Sequence, residues 1–459
     1  MTQSNILLLC DEAVRHIGTV NDHILAFQRY SPSRVVVLDS RAAAAIDLDL
    51  DLFDAIVFHY SIVISMKNFL SPAFFQRLAA LKRPKILFIQ DEYRWVDRTS
   101  AAIRDLGISV VFTVVNQDVI PQIYKEPWFD VVQFEQTLTG FVPEDLLSAQ
   151  VPNYEARSVD VAYRARKVPS WLGAFGQEKW IIGEKFLSDS ARYGLVCDIS
   201  MSESSRIYGA AWIDFIAKSK AVLGTESGAS FIDFAGNIQH EVEAYEHKHP
   251  DAPFSDIEKR FLNGDGQIII HVISPRCFEA AALRTLLVLY PGSYSGILTA
   301  GRHYVELLRD HSNMDDVVNI IRDPAEAGKI IRSAYEEVAH SPAYTYKAFV
   351  AHFDAVLRNE ISKCTPSLRI ETAEQGVKVP PNSIEQRFTD WEQRSRHLTR
   401  SRIRAFAFAL SMQRLTNRAG QLLREVLPEP LAEWLNRGGR TMLGAVKPFV
   451  IRVLVGHAD

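Results

Sequence analysis

Short apolar runs alternate with amphipathic stretches throughout the first 150 residues of this chain of 459 residues. Apolar runs of this length are typical of parallel strands that are buried on both faces. Between two of them, segment 71–82 begins with a serine and has apolar residues at helical spacing. The predicted strands are residues 5–10, 34–40, 55–61, 85–92 and 110–115. Strands that alternate with helices predict a doubly wound parallel sheet of the α/β class.

The same alternation returns after a polar connection at residues 139–158. Helical stretches at 185–194 and 206–220 separate the new strands, although the two halves show no close sequence repeat. A chain of this length also exceeds what one hydrophobic core usually supports. The second set of predicted strands is 159–166, 194–200, 220–226, 267–274 and 285–290. We therefore predict two Rossmann-like domains, residues 1–150 and 151–345, that face each other across a cleft.

The end of the chain has a different character and forms a helical C-terminal extension in this prediction. Helical spacing in residues 325–341 and 346–361 is followed by a polar stretch, 364–383, which is typical of a loop or linker. We therefore assign residues 346–390 to a helix and linker, and residues 391–459 to a basic amphipathic helical tail.

The tail contains 12 Lys and Arg against 5 Asp and Glu, whereas residues 1–390 contain 39 against 50. Its arginines alternate with large apolar residues such as Phe406, Leu415 and Trp434 at helical spacing. This pattern suits a helix that lies on an anionic membrane surface. Packing on the preceding domains, or on a second copy in a homo-oligomer, is the alternative that the sequence leaves open.

Composition restricts the class of protein. The chain is 47% hydrophobic and 23% charged, with a net charge of −4, which describes a globular protein and gives no sign of nucleic-acid binding. Its four cysteines are widely scattered, which suits a reducing cytoplasm better than a disulfide framework. The N-terminus lacks the basic start and apolar core of a signal peptide, and no segment has the length of a membrane span. We expect a cytoplasmic protein that the tail could hold on the inner face of the cytoplasmic membrane.

Several residues of the second half are candidates for binding an anion. The small residues of "GTESGAS", 224–230, follow a predicted strand, where backbone N–H groups can approach a phosphate next to a following helix. Tyr163, Arg164, Arg166 and Lys179 lie at or after another strand end, and arginine can contact a diphosphate at two oxygens. A plain turn and a solvated basic loop are the alternatives.

Glu279 stands near the start of the alanine-rich run "PRCFEAAALR", 275–284, which predicts a short helix between two strands. A carboxylate at this edge can accept hydrogen bonds from two ribose hydroxyls, as acidic residues do in dinucleotide-binding folds. A carboxylate is also favoured near a helix N-terminus for purely structural reasons. From the residues alone, both interpretations stay open.

The segments "DVAYRAR…WLGAFGQEK", "VLGTESGASFIDFAGNI" and "ISPRCFEAAALRTLLVLYPGSYSGILTAGRHYVEL" resemble the signature segments of bacterial glycosyltransferases of the GT-B fold. The resemblance covers roughly residues 155–325 and is greatest to the group described as glycosyl transferase group 1 or spore-maturation-like. It implies a nucleotide-sugar donor in the second domain and an acceptor mainly in the first. Related enzymes carry a Glu-x7-Glu pair, of which Glu279 matches the second position, while His271 stands at the first.

The resemblance also implies how the two domains divide the chemistry. No catalytic metal or other cofactor is expected, because cations and helix dipoles stabilise the leaving diphosphate; the acids of "DLDLDLFD", 47–54, fit a solvated edge instead. Catalytic candidates at strand ends of the first domain are His59, Asp91 and Glu92, with His59 as the base if the enzyme inverts. Most relatives with the Glu-x7-Glu pair retain the configuration of the anomeric carbon, so the resemblance favours a retaining enzyme. The expected donor-binding residues are Tyr163, Arg164, Lys179, Glu226, Ser227, Gly228, His271, Arg276, Glu279, Tyr294, Ser295 and Gly296.

The predicted function is therefore glycosyl transfer from a nucleotide sugar to a glycan or lipid-linked acceptor in bacterial surface polysaccharide synthesis. Two alternatives remain at this point. One is another two-Rossmann nucleotide-sugar enzyme, although the first strand is not followed by the GxGxxG turn of a dehydrogenase. The other is a catalytically silent nucleotide- or glycan-binding scaffold, which the histidine at position 271 keeps open.

Overall fold

The computed structural model describes residues 3–45 and 48–374 of the chain. In the first half, six strands form one parallel sheet with the spatial order β2-β1-β3-β4-β5-β6. Five of them match the predicted strands, and the sixth, β6, was not predicted because it is short and polar. The strands are β1 (Asn5–Cys10), β2 (Arg34–Asp39), β3 (Ala55–Phe58), β4 (Lys85–Ile89), β5 (Val110–Thr113) and β6 (Gln133–Gln136).

Helices cover both faces of this sheet. Among them, α3 shows why the sequence begins a helix where it does: the Ser71 side chain accepts a hydrogen bond from the backbone N–H of Phe74, and a proline follows at the first helical position. The helices of the first half are α1 (Gly18–Tyr30), α2 (Ser40–Ala45), α3 (Pro72–Ala80), α4 (Val96–Leu106), α5 (Ile120–Ile123) and α6 (Glu144–Leu147).

The second half contains a parallel sheet of five strands in the order β13-β12-β9-β7-β8. Its strands are β7 (Val159–Arg164), β8 (Cys197–Ser200), β9 (Ser219–Gly224), β12 (Leu286–Leu289) and β13 (Val305–Glu306), while β10 (Ser227–Ala229) and β11 (Ile270–Val272) pair separately. Counted from its own first strand, this sheet has the order 2-1-3-4-5, which is also the order of the first five strands of the first sheet. Both halves therefore share the topology of a doubly wound nucleotide-binding domain.

The remaining helices belong to the second half, except the last. They are α7 (Gly173–Ser190), α8 (Ala210–Ala217), α9 (Asn237–Lys248), α10 (Phe254–Phe261), α11 (Pro275–Ala282), α12 (Met314–Arg322), α13 (Pro324–Ala334) and α14 (Tyr346–Glu374). Among them, α9 and α10 form a separate cluster beside the segment 168–172. Helix α14 returns to the first half, where Phe349 and Phe353 pack against Phe27 and Phe88. The first domain is therefore completed by residues from the end of the described chain.

Two segments differ from the sequence prediction. Residues 267–274 were expected to be a strand of the main sheet, but β11 pairs antiparallel with β10 outside it. Residues 364–383 were expected to be a loop or linker, yet α14 continues to Glu374. For β11, local composition gave no information about the strand with which it pairs.

The predicted basic tail, residues 391–459, lies outside the described residues, as does the C-terminal part of the predicted linker. Within the described ranges, no helix combines the length and the apolar content needed to cross a membrane.

Candidate functional site

A cleft of about 810 Å³ lies between the two domains. On one side it is lined by the cleft-facing part of α1 and by residues 143–146. On the other side it is lined by residues that follow β7, by the start of α8 and by the start of α11. The segments that follow β1 and β7 leave the sheets at their switch points, where the strand order reverses. This is where doubly wound folds bind their ligands.

The second-domain wall of the cleft is cationic. Arg276, in the first turn of α11, donates hydrogen bonds to the carbonyl oxygens of Arg164 (2.6 Å) and Leu223 (3.3 Å). Its guanidinium lies over the ring of Tyr163, 4.6 Å from the centroid. Its Nε is buried and has no hydrogen-bond partner. The guanidinium is thus held by hydrogen bonds to neutral groups and forms no ion pair within the described chain.

Lys179, on α7, reaches the same wall and is half-buried. Its side chain has no ion pair or hydrogen bond with any residue in the described ranges. Burial, together with the nearby charges of Arg276 and Arg166, lowers the pKa of Lys179 to about 8. The charge of Asp91 opposes this lowering without forming an ion pair, and an ammonium group left unpaired in this position favours an anionic ligand.

Two further arginines, Arg166 and Arg206, line the cleft and are exposed. Arg206 forms an ion pair with Glu203 at 2.7 Å, whereas Arg166, Lys179 and Arg276 form none with a carboxylate of the described chain. The wall therefore carries an excess of positive charge at the edge of the cleft.

Arg164 also lines the cleft, but its side chain is already engaged. It pairs with Asp198 at 2.6 Å and donates hydrogen bonds to the carbonyl oxygens of Asp198 (2.8 Å) and Ser205 (3.1 Å). Its guanidinium lies 4.4 Å from the centroid of the Phe215 ring. These contacts brace the segment after β8 and leave Arg164 less able to bind a diphosphate than Lys179 or Arg276.

Glu279 lies in the cleft beside these cations. It is the fifth residue of α11, one turn after its start, and so it does not cap the helix, which removes the structural alternative raised by the sequence. The indole Nε1 of Trp212 donates a hydrogen bond to Oε2 of Glu279 at 2.8 Å. Burial raises the pKa of Glu279. The carboxyl group is held in place by one neighbour and retains a second oxygen that can accept hydrogen bonds from hydroxyl groups.

Glu226 and His271 form a separate cluster that does not line the cleft. The buried Glu226 carboxylate accepts hydrogen bonds from the backbone N–H of Tyr294 (2.7 Å), from Ser293 Oγ (3.1 Å) and from His271 Nδ1 (3.2 Å). The hydrogen bond to Glu226 raises the pKa of His271. Burial alone would raise the pKa of Glu226, but the hydrogen bonds that its carboxylate accepts outweigh burial and lower that pKa. His271 Nε2 lies 3.4 Å from the amide nitrogen of Asn116 in the first domain.

The glycine-containing segment after β9 differs from the expected phosphate-binding turn. It continues into β10, and the next helix, α9, begins only at Asn237. Ser227 pairs with Val272 across the β10–β11 ladder. Gly228 has a φ of 142°, and a Cβ there would stand 1.8 Å from the carbonyl oxygen of Ile270. The glycine is therefore required for close strand pairing rather than for an anion.

The turn of Tyr294, Ser295 and Gly296 is also packed inside the second domain. Tyr294 is buried and its hydroxyl donates a hydrogen bond to the carbonyl oxygen of Tyr290 at 2.6 Å. Ser295 and Gly296 have φ values of 57° and 72°, and Ser295 Oγ accepts a hydrogen bond from the N–H of Ile273. Of the predicted donor-binding residues, the structure brings Arg164, Lys179, Arg276 and Glu279 together at the cleft.

His59 is fully buried and does not reach the cleft. The N–H of Ser61 donates to its Nδ1 at 3.0 Å, so Nε2 carries the proton and donates to His23 Nδ1 at 3.0 Å. Burial holds the pKa of His59 well below its ordinary value. Both ring nitrogens are occupied, which leaves no site for a substrate proton.

Glu92 and Asp91 are likewise absent from the cleft walls. The buried Glu92 accepts hydrogen bonds from Thr113 and from the hydroxyl of Tyr124 (3.0 Å), and burial raises its pKa to about 8. Asp91 is exposed, accepts a hydrogen bond from the Tyr93 hydroxyl at 2.6 Å and pairs with Arg94 at 3.6 Å. These side chains stabilise the strand ends that carry them.

Sequence reasoning missed the first-domain wall of the cleft. Asp22 and Leu25, on α1, line this wall, and Trp212, on α8, lines the opposite one. The available signal was the position of α1 directly after the first strand of a doubly wound domain, where a ligand is expected. The part of the chain that the structure describes contains no group of three or more His, Cys, Asp or Glu side chains placed to hold a metal ion.

No known protein family and no curated protein matches the chain in sequence. Among solved structures, it is similar to an α-glucosyltransferase in complex with UDP and DNA (9% identity, TM-score 0.48, covering 78% of this chain and 99% of that one). It is also similar to Anabaena HepE in complex with UDP (11% identity, TM-score 0.45, covering 77% of this chain and 100% of that one). A third similar structure is T4 phage BGT in complex with UDP-glucose (12% identity, TM-score 0.43, covering 78% of this chain and 99% of that one). These values describe a similarity of fold. The two Rossmann-like domains are the architecture predicted from the sequence.

Proposed function

We propose that the protein is a glycosyltransferase that uses a nucleoside diphosphate sugar as donor. The observation that carries the proposal is the group of cations without internal counter-ions beside Glu279, in a cleft between two Rossmann-like domains. Such a group suits a ligand with a compact double negative charge and neighbouring hydroxyls, which describes the diphosphate and ribose of a nucleotide sugar.

The residues divide the donor between them. Lys179 and Arg276 contact the diphosphate, and their charge stabilises the leaving group as the bond to the sugar breaks. Arg166 and Arg206 attract the donor from the exposed rim. Glu279, oriented by Trp212, accepts hydrogen bonds from the ribose hydroxyls. These cations supply the positive charge that the reaction needs, in keeping with the metal-independent transfer that the sequence resemblance implies.

The acceptor enters from the first-domain wall. In keeping with the resemblance of the sequence, we assign it to the glycans or lipid-linked glycans of bacterial surface polysaccharide synthesis. The wall offers both polar and apolar side chains, among them Asp22, Leu25 and Tyr30, which suits a hydroxylated ring with one apolar face.

Calorimetric titration and turnover assays test the proposal. UDP, GDP, CDP and dTDP are titrated into the full chain, and the sugar nucleotide of each binding base is then incubated with a panel of p-nitrophenyl glycosides. We expect one base to bind and its sugar to be transferred. Lys179→Ala should weaken binding at least tenfold, whereas Lys185→Ala, on the same helix but outside the cleft, should not. Binding without turnover would favour the silent scaffold, and absence of binding would reject the donor site.

A further inference from the structure

Helix α1 presents one carboxylate to the cleft that no neighbour engages. Asp22 lines the cleft on the first-domain side and is half-buried. It has neither a hydrogen bond nor an ion pair with any other residue of the described chain. Burial and the nearby charge of Asp145 raise the pKa of Asp22. A carboxylate that is desolvated and left without a partner inside a binding cleft is costly, and such groups are concentrated at functional sites.

The other carboxylates of the cleft differ from Asp22 in their surroundings. Glu144 lies 3.7 Å from the guanidinium of Arg29, and Asp145 is exposed to solvent. Glu279 stands on the donor wall and is hydrogen-bonded to Trp212. Asp22 alone among them is both shielded from water and unoccupied in the described structure.

Asp22 also faces the donor wall. Its charge is close enough to raise the pKa of Glu279, although the two residues belong to different domains. It acts in the same way on Tyr346, which lines the cleft at the start of α14. An acceptor hydroxyl that lies between the two walls would therefore meet the carboxylate of Asp22 on one side and the donor on the other.

We propose that Asp22 is the general base that removes the proton of the acceptor hydroxyl, an inference that rests on the proposed glycosyl transfer. The acceptor oxygen forms a bond to the anomeric carbon of the donor while its proton passes to the Asp22 carboxylate. The bond between that carbon and the diphosphate oxygen breaks, and the electron pair leaves with the diphosphate, beside Lys179 and Arg276. One displacement with one base inverts the configuration of the anomeric carbon.

The structure favours this arrangement over the bases expected from the sequence. His59 and Glu92 are buried away from the cleft, where both ring nitrogens of His59 and Oε1 of Glu92 are hydrogen-bonded to internal partners. Oε2 of Glu92 has no partner within the described chain, but it is buried outside the cleft. Asp91 is exposed and engaged by Tyr93 and Arg94. Helix α1 therefore supplies the proton acceptor.

The test compares Asp22→Asn with Asp105→Asn, which removes an exposed aspartate of the first domain, on α4 and outside the cleft. The donors are UDP-glucose, UDP-N-acetylglucosamine and GDP-mannose, and the acceptors are p-nitrophenyl glycosides. We expect Asp22→Asn to lower the transfer rate about 100-fold or more, with the affinity for the nucleoside diphosphate unchanged. Asp105→Asn should stay within about threefold of the wild type. NMR of the product should show the inverted anomer.

Azide separates a chemical role from a structural one. Azide attacks the anomeric carbon without giving up a proton and so needs no base. Asp22→Ala should therefore form the glycosyl azide about as fast as the wild type forms it. Four results would each overturn the role of Asp22 and leave the donor site standing. They are a wild-type transfer rate in Asp22→Asn, a product with retained anomeric configuration, no glycosyl azide formed by Asp22→Ala, and donor binding by the wild type without any turnover. Failure of the wild type to bind any nucleoside diphosphate would overturn the proposed function itself.

Discussion

Polar side chains near the carboxyl ends of the two sheets differ in whether they have partners inside the protein. In the first domain, His59 and Glu92 are buried and hydrogen-bonded to neighbours of the same domain. In the second, Lys179 and Arg276 reach the cleft, and neither forms an ion pair with a carboxylate of the described chain. Polar groups that satisfy one another stabilise a fold, whereas groups left without partners are available to a ligand. We therefore expect His59 and Glu92 to contribute to stability, and Lys179 and Arg276 to contribute to ligand binding.

The largest expected effect tests the structural side of this comparison. His59→Ala removes a buried ring and leaves Nδ1 of His23 without its hydrogen-bond donor. The free energy of unfolding should fall by about 2–4 kcal/mol. Affinity for a nucleoside diphosphate, measured by calorimetry below the unfolding transition, should not change. Weaker nucleotide binding in a variant of normal stability would return His59 to the functional site.

Glu279→Ala tests the binding side. Loss of the hydrogen bonds from ribose to a charged carboxylate should weaken nucleoside diphosphate binding by about 1.5–3 kcal/mol. Denaturant unfolding should show a much smaller change, because the variant also removes a buried charge. The matched control is Glu226→Gln, outside the cleft, which should lose stability and keep its affinity. Unchanged affinity in the Glu279 variant would exclude the ribose contact.

Glu92→Gln sharpens the comparison through pH. Burial raises the folded-state pKa of Glu92 from 4.5 to about 8, so the folded chain holds a proton that the unfolded chain releases between those values. Stability of the wild type should therefore decline as pH rises from about 4.5 toward 8 and level off above. Glutamine does not titrate, so the free energy of unfolding of the variant should not show this decline. The difference in unfolding free energy, variant minus wild type, should therefore be larger at pH 8 than at pH 4.5 by at least about 1 kcal/mol. Parallel stability curves for the two proteins would refute the assigned burial.

Lys179 gives the smallest expected effect. Its pKa of about 8 means that the cation is present below this pH and is lost above it. Affinity for a nucleoside diphosphate should fall by up to about tenfold between pH 7 and pH 9. Lys179→Arg keeps its charge across the range, and its affinity should stay level. An equal decline in both proteins would mean that another group titrates.

Much of the fold could be predicted from the sequence because it depends on local patterns. Buried parallel strands such as β1 and β12 read as apolar runs, and their bounds agree with the prediction to within two residues. Strand β11 was assigned to the wrong sheet, because its antiparallel partner, β10, lies more than 40 residues earlier in the chain. Pairing between strands is a property of the folded chain that periodicity does not record.

The predicted and observed positions of the candidate site agree in part. Lys179, Arg276 and Glu279 were predicted to bind the donor, and the structure brings all three to the cleft, where their roles stay predictions. His59 looked equally suitable, since its partner His23 lies 36 residues away and its burial could not be seen. Asp22 was missed for the converse reason, because the sequence does not show that a helical aspartate lacks a partner. Occupancy by internal partners thus separates functional from structural polar groups, and only the structure reveals it.

The most direct test of the donor site compares a nucleoside diphosphate with its monophosphate, both titrated into the wild type and into Lys179→Ala. Contacts from Lys179 and Arg276 to the second phosphate should make the diphosphate bind at least tenfold more tightly than the monophosphate in the wild type. Most of that difference should disappear in Lys179→Ala, while affinity for the monophosphate changes little. Equal affinities of the wild type for both nucleotides would contradict the assignment of the cationic wall to a diphosphate.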